Sequence, residues 1–202
     1  MSVDQMTLFT ALLALVAAAV AVLGMCLLAT AAGRTWLAGL RKDAQRLAFS
    51  VAAVSTAGSF WFSEVGGFVP CEFCWYQRIL MYPLVVVLGL AVWRGDDLLR
   101  WRALPFSLLG VAVSAYHVQL QWFPDQGSSC EVAAPCTQQW VDRFGFVSIP
   151  VMSFCGFVAI TVLILVATVR EDAGVVTAST TSEEIGLSLI HISEPTRRYA
   201  IG

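Results

Sequence analysis

Five apolar stretches dominate the chain, at roughly 7–32, 47–68, 75–93, 103–123 and 146–169. Each is long enough to cross the hydrocarbon core of a bilayer, which takes about 20 apolar residues. No water is available there to satisfy backbone N–H and C=O groups, so each stretch must be helical. Composition removes the soluble alternative. Of the 202 residues, 58% are hydrophobic and 13% charged, where soluble domains carry roughly 25% charge. The expected fold class is therefore all-α, an integral membrane protein lying in the lipid bilayer. The net charge of −2 and the lack of a basic patch argue against a nucleic-acid partner.

Orientation follows from the loop charges, because Lys and Arg concentrate on the cytoplasmic side. The segment 33–46 holds Arg34, Arg41, Lys42 and Arg46; the segment 94–102 holds Arg94, Arg100 and Arg102; Arg170 follows the last span. The N-terminus and the segment 64–74 hold none, and 124–145 holds only Arg143. The bias puts the N-terminus outside and the C-terminus in the cytoplasm. Without a basic region before it, the first span reads as a retained helix rather than a cleaved signal peptide. Residues 171–202 are polar and read as a disordered tail. Within them, the run from Leu187 to Tyr199 departs from the style of the chain and resembles translated cloning DNA, so it carries no fold argument.

The same bias places two cysteine pairs, Cys71/Cys74 and Cys130/Cys136, outside the cytoplasm, where disulfides persist. As structural staples they would contribute little. Loops of four and seven residues are worth roughly 2 to 2.5 kcal/mol on the chain-entropy account, and tight accessible disulfides are the more reducible kind. Redox chemistry is the stronger reading. Cys71-Glu-Phe-Cys74 opens a transmembrane helix, and helix N-termini favour thiolates. Arg78 stands at i+4 from Cys74, on the same helix face, where a guanidinium would favour a Cys74 thiolate or an anionic ligand beside it. The second pair has a Gly-Ser-Ser approach, 127–129, suited to a mobile relay. The segment after it, with Trp140 and Phe144, is expected to lie in the membrane interface. His117, inside the fourth span, is either a functional group or a histidine bonded to a neighbouring helix. Cys26 and Cys155 read as buried small residues. No metal site is expected: outside thiols tend to oxidise, and no His is adjacent to either pair in the sequence.

The run Phe62-Ser-Glu-Val-Gly-Gly-Phe-Val-Pro-Cys-Glu-Phe-Cys-Trp-Tyr-Gln-Arg-Ile-Leu-Met-Tyr-Pro-Leu84 resembles the DsbB family of membrane thiol oxidases, and most its BdbC-type branch. Tyr116-His117-Val-Gln-Leu-Gln-Trp-Phe-Pro124, the Cys130/Cys136 pair and Phe144-Gly-Phe-Val-Ser-Ile-Pro150 add to it. The resemblance covers about residues 47–169. It implies a four-helix transmembrane redox core over 47–170. The chain would carry one additional N-terminal transmembrane helix before it, within 1–46, and the tail 171–202 after it. It further implies a bacterial cell-membrane protein that oxidises a DsbA-like thioredoxin-fold partner and passes electrons to the quinone pool, as ubiquinone or menaquinone. By the same resemblance Cys130 takes the mixed disulfide with the partner, and Cys136 pairs transiently with Cys71. Cys74 is then the thiolate beside the quinone, with Arg78 and His117 polarising it. Two departures stand out: the extra first helix, and the short spacing of the second pair. Two rival readings are a vitamin K epoxide reductase-like protein, whose active pair usually lies late in the chain, and a non-enzymatic scaffold with structural disulfides.

Overall fold

A computed structural model describes residues 2–124 and 135–169. Six helices form among them: α1 (Val3–Leu28), α2 (Ala31–Ala38), α3 (Arg41–Glu64), α4 (Glu72–Arg94), α5 (Asp97–Trp122) and α6 (Ile149–Thr168). Four are long and apolar enough to cross a membrane: α1, α4, residues 100–122 of α5, and α6. The protein is an all-α membrane bundle. Cys130, its Gly-Ser-Ser approach, Arg170 and the tail lie outside the described residues.

Local chemistry sets the helix limits. Ser2 and Gln5 close a reciprocal capping box at the start of α1. The first span ends at Leu28, short of the expected 32, because Thr30 caps a new helix by accepting from Gly33 N at 3.0 Å. The segment 33–46, expected as a basic loop, is mostly helical: α2 fills its first half, and α3 begins at Arg41. α3 has the length of a span but not the apolarity of the other four. Its interior carries Ser55, Thr56, Ser59 and Ser63, which lowers its hydropathy and has a use described below. At the end of α4, Gly95 takes a left-handed φ of 65° and stops the helix.

α6 is the hub. It packs against α1, α3 and α5, and α4 packs against α3 and α5. Leu84 and Leu88 of α4 and Phe157, Ile160 and Ile164 of α6 are fully buried in one core. In lipid, apolar burial gives helices little drive to associate, so close approach at small residues carries the packing. Two glycines show this. The Phe157 ring lies where a side chain on Gly110 would go, and a Cβ on Gly24 would stand 2.6 Å from Val162 Cγ1.

The helix directions give the bundle two chemically distinct ends. Arg34, Arg41, Lys42, Arg46, Arg94 and Arg102 gather at one, where Arg41 Nε donates to the Ala167 carbonyl at 3.2 Å and Arg100 donates to Gln45 at 3.3 Å. The other holds Cys71, Cys74 and Cys136. All seven tryptophans lie near one end or the other: Trp36, Trp93 and Trp101 with the basic cluster, Trp61, Trp75, Trp122 and Trp140 with the cysteines. Two aromatic girdles around an apolar belt match the two faces of a bilayer. Between them, Val22, Leu23, Val86 and Leu109 are more than half exposed, as lipid-facing side chains are.

Candidate functional site

Cys71 is the N-cap of α4. Its sulfur accepts from Cys74 N at 3.4 Å, where a serine or aspartate oxygen would otherwise sit. The Cys71 and Cys74 sulfurs share a hydrogen bond at 3.0 Å, and both residues carry free thiols in this structure. Cys71 is buried. Beneath it lies His117 of α5, 1% exposed. His117 Nε2 is 3.6 Å from Cys71 Sγ and 3.1 Å from the Cys136 carbonyl oxygen. Nδ1 is 3.2 Å from Gln77 Nε2. The hydrogen-bond partners assign the tautomer: Gln77 donates to Nδ1, and Nε2–H faces the carbonyl and the sulfur.

The histidine that sequence spacing kept away from the cysteines is thus supplied by the fold. The donor atoms of Cys71, Cys74 and His117 lie within 4.8 Å of one another. That set is within reach of a soft divalent cation, and it equally suits a dithiol whose thiolate accepts a hydrogen bond from the imidazole. Cys136, disulfide-bonded and 1% exposed, packs with Cys71 and Leu120 in a small core.

These contacts single out Cys71, just before the apolar span of α4, as the more acidic thiol. The Cys74 hydrogen bond pulls its pKa well below the usual thiol range; burial opposes this, and His117 adds to the lowering. Sequence spacing gave Arg78 either a Cys74 thiolate or an anionic ligand beside it. The hydrogen-bond donors converge on Cys71 instead. A depressed pKa keeps the thiolate present as pH falls below about 8.5, the ordinary thiol value. Alkylation of Cys71 in the reduced protein, followed by mass spectrometry against pH, should therefore hold its rate through neutral pH. Its midpoint should rise in His117→Ala. A midpoint at the ordinary thiol value in the unaltered protein would contradict the arrangement.

On the other side of Cys74 is a cavity of about 560 Å³ bounded by α1, α3, α4 and α6. Small-molecule sites span about 300–1,000 Å³. Its walls are mostly apolar; Cys74, Gln77, Arg78, Ser59 and Ser63 line the cysteine end, and the hydroxyls of Ser50, Ser55, Thr56 and Ser153 are spaced further along. Stacked rings of Phe62, Phe68 and Trp140 cover that end, with centroids 5.7 and 5.4 Å apart. Cys74, Trp140 and Ile149 also border a gap of about 20 Å³ beside Cys71 and His117. Cys74 therefore stands between the dithiol–imidazole cluster and the apolar cavity. His117 lines only the smaller gap.

Arg78 is half-buried in the cavity wall. Its Nε donates to Ser59 Oγ and its Nη2 to the Ser59 carbonyl, each at 2.9 Å, and Nη2 also reaches Ser63 Oγ. Its guanidinium carbon sits 5.3 Å from the Trp75 ring centroid, a cation–π distance. The serines that keep α3 from being apolar thus compensate this charge. Thr56, one helical turn earlier, has a buried hydroxyl oxygen with no partner among the described residues, on the same cavity wall. Sequence reasoning missed Thr56, Ser59, Ser63 and Gln77. The available signal was hydroxyls at i, i+3 and i+7 within an otherwise apolar helix. Cys26 is exposed rather than buried, and Cys155 is half-buried; neither nears the cluster. Trp140 is 41% and Phe144 56% exposed, as interfacial anchors are.

The family described as Disulfide bond formation protein DsbB matches residues 41–167. The chain belongs to the DsbB family. Curated relatives agree. Probable disulfide formation protein C 2 of Bacillus cereus is 39% identical over 133 residues, covering 65% of this chain and 96% of that protein. Disulfide bond formation protein C of Bacillus subtilis is 40% identical over 114 residues, 55% and 83% of the two chains. A probable disulfide formation protein of Oceanobacillus iheyensis is 42% identical over 130 residues, 61% and 90%. No solved structure matches the chain. Within the DsbB family the chain is a membrane disulfide oxidoreductase. Its family match begins at Arg41, so α1 and α2 stand outside it.

Proposed function

We propose that this DsbB-family protein reoxidises a DsbA-like thioredoxin-fold oxidase outside the bacterial cell membrane and delivers the electrons to a membrane quinone. The supporting observation is the position of Cys74, shared by the Cys71–His117 cluster and the apolar cavity. The basic cluster at the opposite end of the bundle supports placing the cysteine end outside, by the positive-inside rule.

Cys130 takes the partner's thiolate as a mixed disulfide, and the partner leaves oxidised. The reduced Cys130/Cys136 pair then passes two electrons to the Cys71–Cys74 disulfide. Cys136 is suited to that exchange, since its carbonyl and the Cys71 sulfur meet the same imidazole. Once reduced, Cys71 is the thiolate, held by the Nε2–H of His117 and by the Cys74 thiol, and its proton leaves to solvent. Closing the Cys71–Cys74 bond again releases two electrons, and Cys74 gives up the second proton.

The cavity fits a quinone. It is mostly apolar, at the Cys74 end it offers the Arg78 guanidinium to a carbonyl oxygen, and the Thr56 hydroxyl stands about 10 Å further along α3. When bound, the quinone supplies the two-electron acceptor. Arg78 orients it and favours negative charge on it, the stacked rings exclude water, and Cys74 faces it. We assign His117 to the cysteines rather than to the ring, because it does not line this cavity. The buried imidazole of His117 beside Cys71 also weighs against a scaffold held by staples. The test is quinone reduction by purified protein supplied with a reduced thioredoxin-fold partner, followed by the loss of quinone absorbance. Steady turnover is expected, and none would remove the reading.

A further inference from the structure

We propose that α1, the helix outside the family match, forms a wall of the quinone cavity and sets its selectivity for the quinone's tail. The inference rests on the quinone reading above.

Two clamps fix α1. At the cysteine end, Arg143 Nη2 donates to the Asp4 carbonyl at 3.0 Å and to Thr7 Oγ1 at 2.8 Å, and it pairs with the Asp4 carboxylate. Arg143 Nε adds a bond to Thr7 Oγ1 at 3.1 Å. At the basic end, Gly24 lets α1 press onto Val162 of α6. Between the clamps α1 follows α6 and stands off α3. The cavity occupies the space left between them, with Ala14 and Ala17 of α1 on its wall.

The charge and the thiol of the cavity lie at one end and set which way a ligand lies. Cys74, Arg78 and Ser63 take the ring end. From Ser63 to Leu47 the cavity follows α3 for about 24 Å, and its far end is bounded by Val20, Leu47 and Leu163. That is an apolar channel longer than a quinone ring, suited to a prenyl tail. Small side chains at Ala14 and Ala17 leave it open. Without α1, this flank of the cavity would face lipid directly. The extra helix therefore confines the tail that the family core alone would leave against the bilayer.

The test uses full-length protein carrying Ala17→Phe, with Leu12→Phe as a control that puts the same ring on the outward face of α1. Leu12 is 48% exposed and does not line the cavity. Steady-state kinetics with a reduced thioredoxin-fold partner compare a benzoquinone bearing a long prenyl tail with a tail-less benzoquinone. Ala17→Phe should raise KM for the tailed quinone on the order of tenfold or more, as a misfit in an apolar pocket does. The KM for the tail-less quinone should rise far less, and Leu12→Phe should change neither. If Ala17→Phe does not fold, Ala17→Val should give the same selective shift in smaller measure. An equal rise for both quinones, or no rise for either, overturns the assignment of α1. If the unaltered protein reduces neither quinone, the quinone reading itself fails and the assignment falls with it.

Discussion

Cys74→Ser is expected to reduce quinone turnover to the uncatalysed background, a loss on the order of 10³-fold or more, in a protein that still folds. Cys74 is half-buried, and a serine there can keep a hydrogen bond to Cys71, so the bundle has no reason to open. The sulfur is the group in the cavity wall that can join a thiol pair to an electron acceptor. Without it the Cys71–Cys74 disulfide cannot form. The reduced partner should still be oxidised once per protein through the Cys130/Cys136 pair, and then the reaction should stop. Partner thiols counted after rapid mixing, with quinone absorbance recorded in parallel, separate the two stages. Retention of a tenth of the turnover would mean that electrons leave from another residue.

Arg78→Met should raise KM for quinone about 10- to 100-fold, the range of a charge-assisted hydrogen bond worth ~1.5–3 kcal/mol. Oxidation of the partner in a single turnover should stay near normal. Methionine fills much of the same apolar volume against Trp75. The serines of α3 retain an acceptor when the arginine is gone, since Ser63 Oγ already donates to the Ser59 carbonyl at 3.3 Å. The effect should therefore appear in quinone use and not in folding. Thermal unfolding in detergent, run beside the kinetics, checks that separation. An unchanged KM would remove Arg78 from the ligand site and leave it as a brace between α3 and α4.

Apolar run length made the membrane helices legible in the sequence, and the Cys71-x-x-Cys74 run with Arg78 made the chemistry legible. The boundaries near 33–46 were not. Charge marks that stretch as lying outside the lipid, yet charge alone does not separate a loop from the first turns of α3. Apolarity marked α3 over 47–68, although its hydroxyls, which serve Arg78, leave it less apolar than the other long helices. His117 was visible only as an intramembrane histidine. Its contact with Cys71 depends on the pairing of α4 with α5, across 46 residues of chain, which no local pattern encodes. The clamp from Arg143 to Asp4 and Thr7 spans more than 130 residues and was equally hidden. Arg143 had registered only as the lone cation on its side of the membrane. The i+4 spacing left Arg78 to serve either a Cys74 thiolate or an anionic ligand beside it; the guanidinium turns to α3 and the cavity, and the N-cap geometry gathers hydrogen bonds on Cys71.

The central claim is that electrons cross from protein thiols to a quinone by way of Cys74. The most direct measurement is anaerobic stoichiometry in purified protein: partner thiols oxidised against quinone consumed. The account predicts one quinone reduced for each dithiol oxidised, continuing over many turnovers until quinone is exhausted. Partner oxidation that continues without quinone, or quinone that stays oxidised while partner thiols disappear, would contradict it.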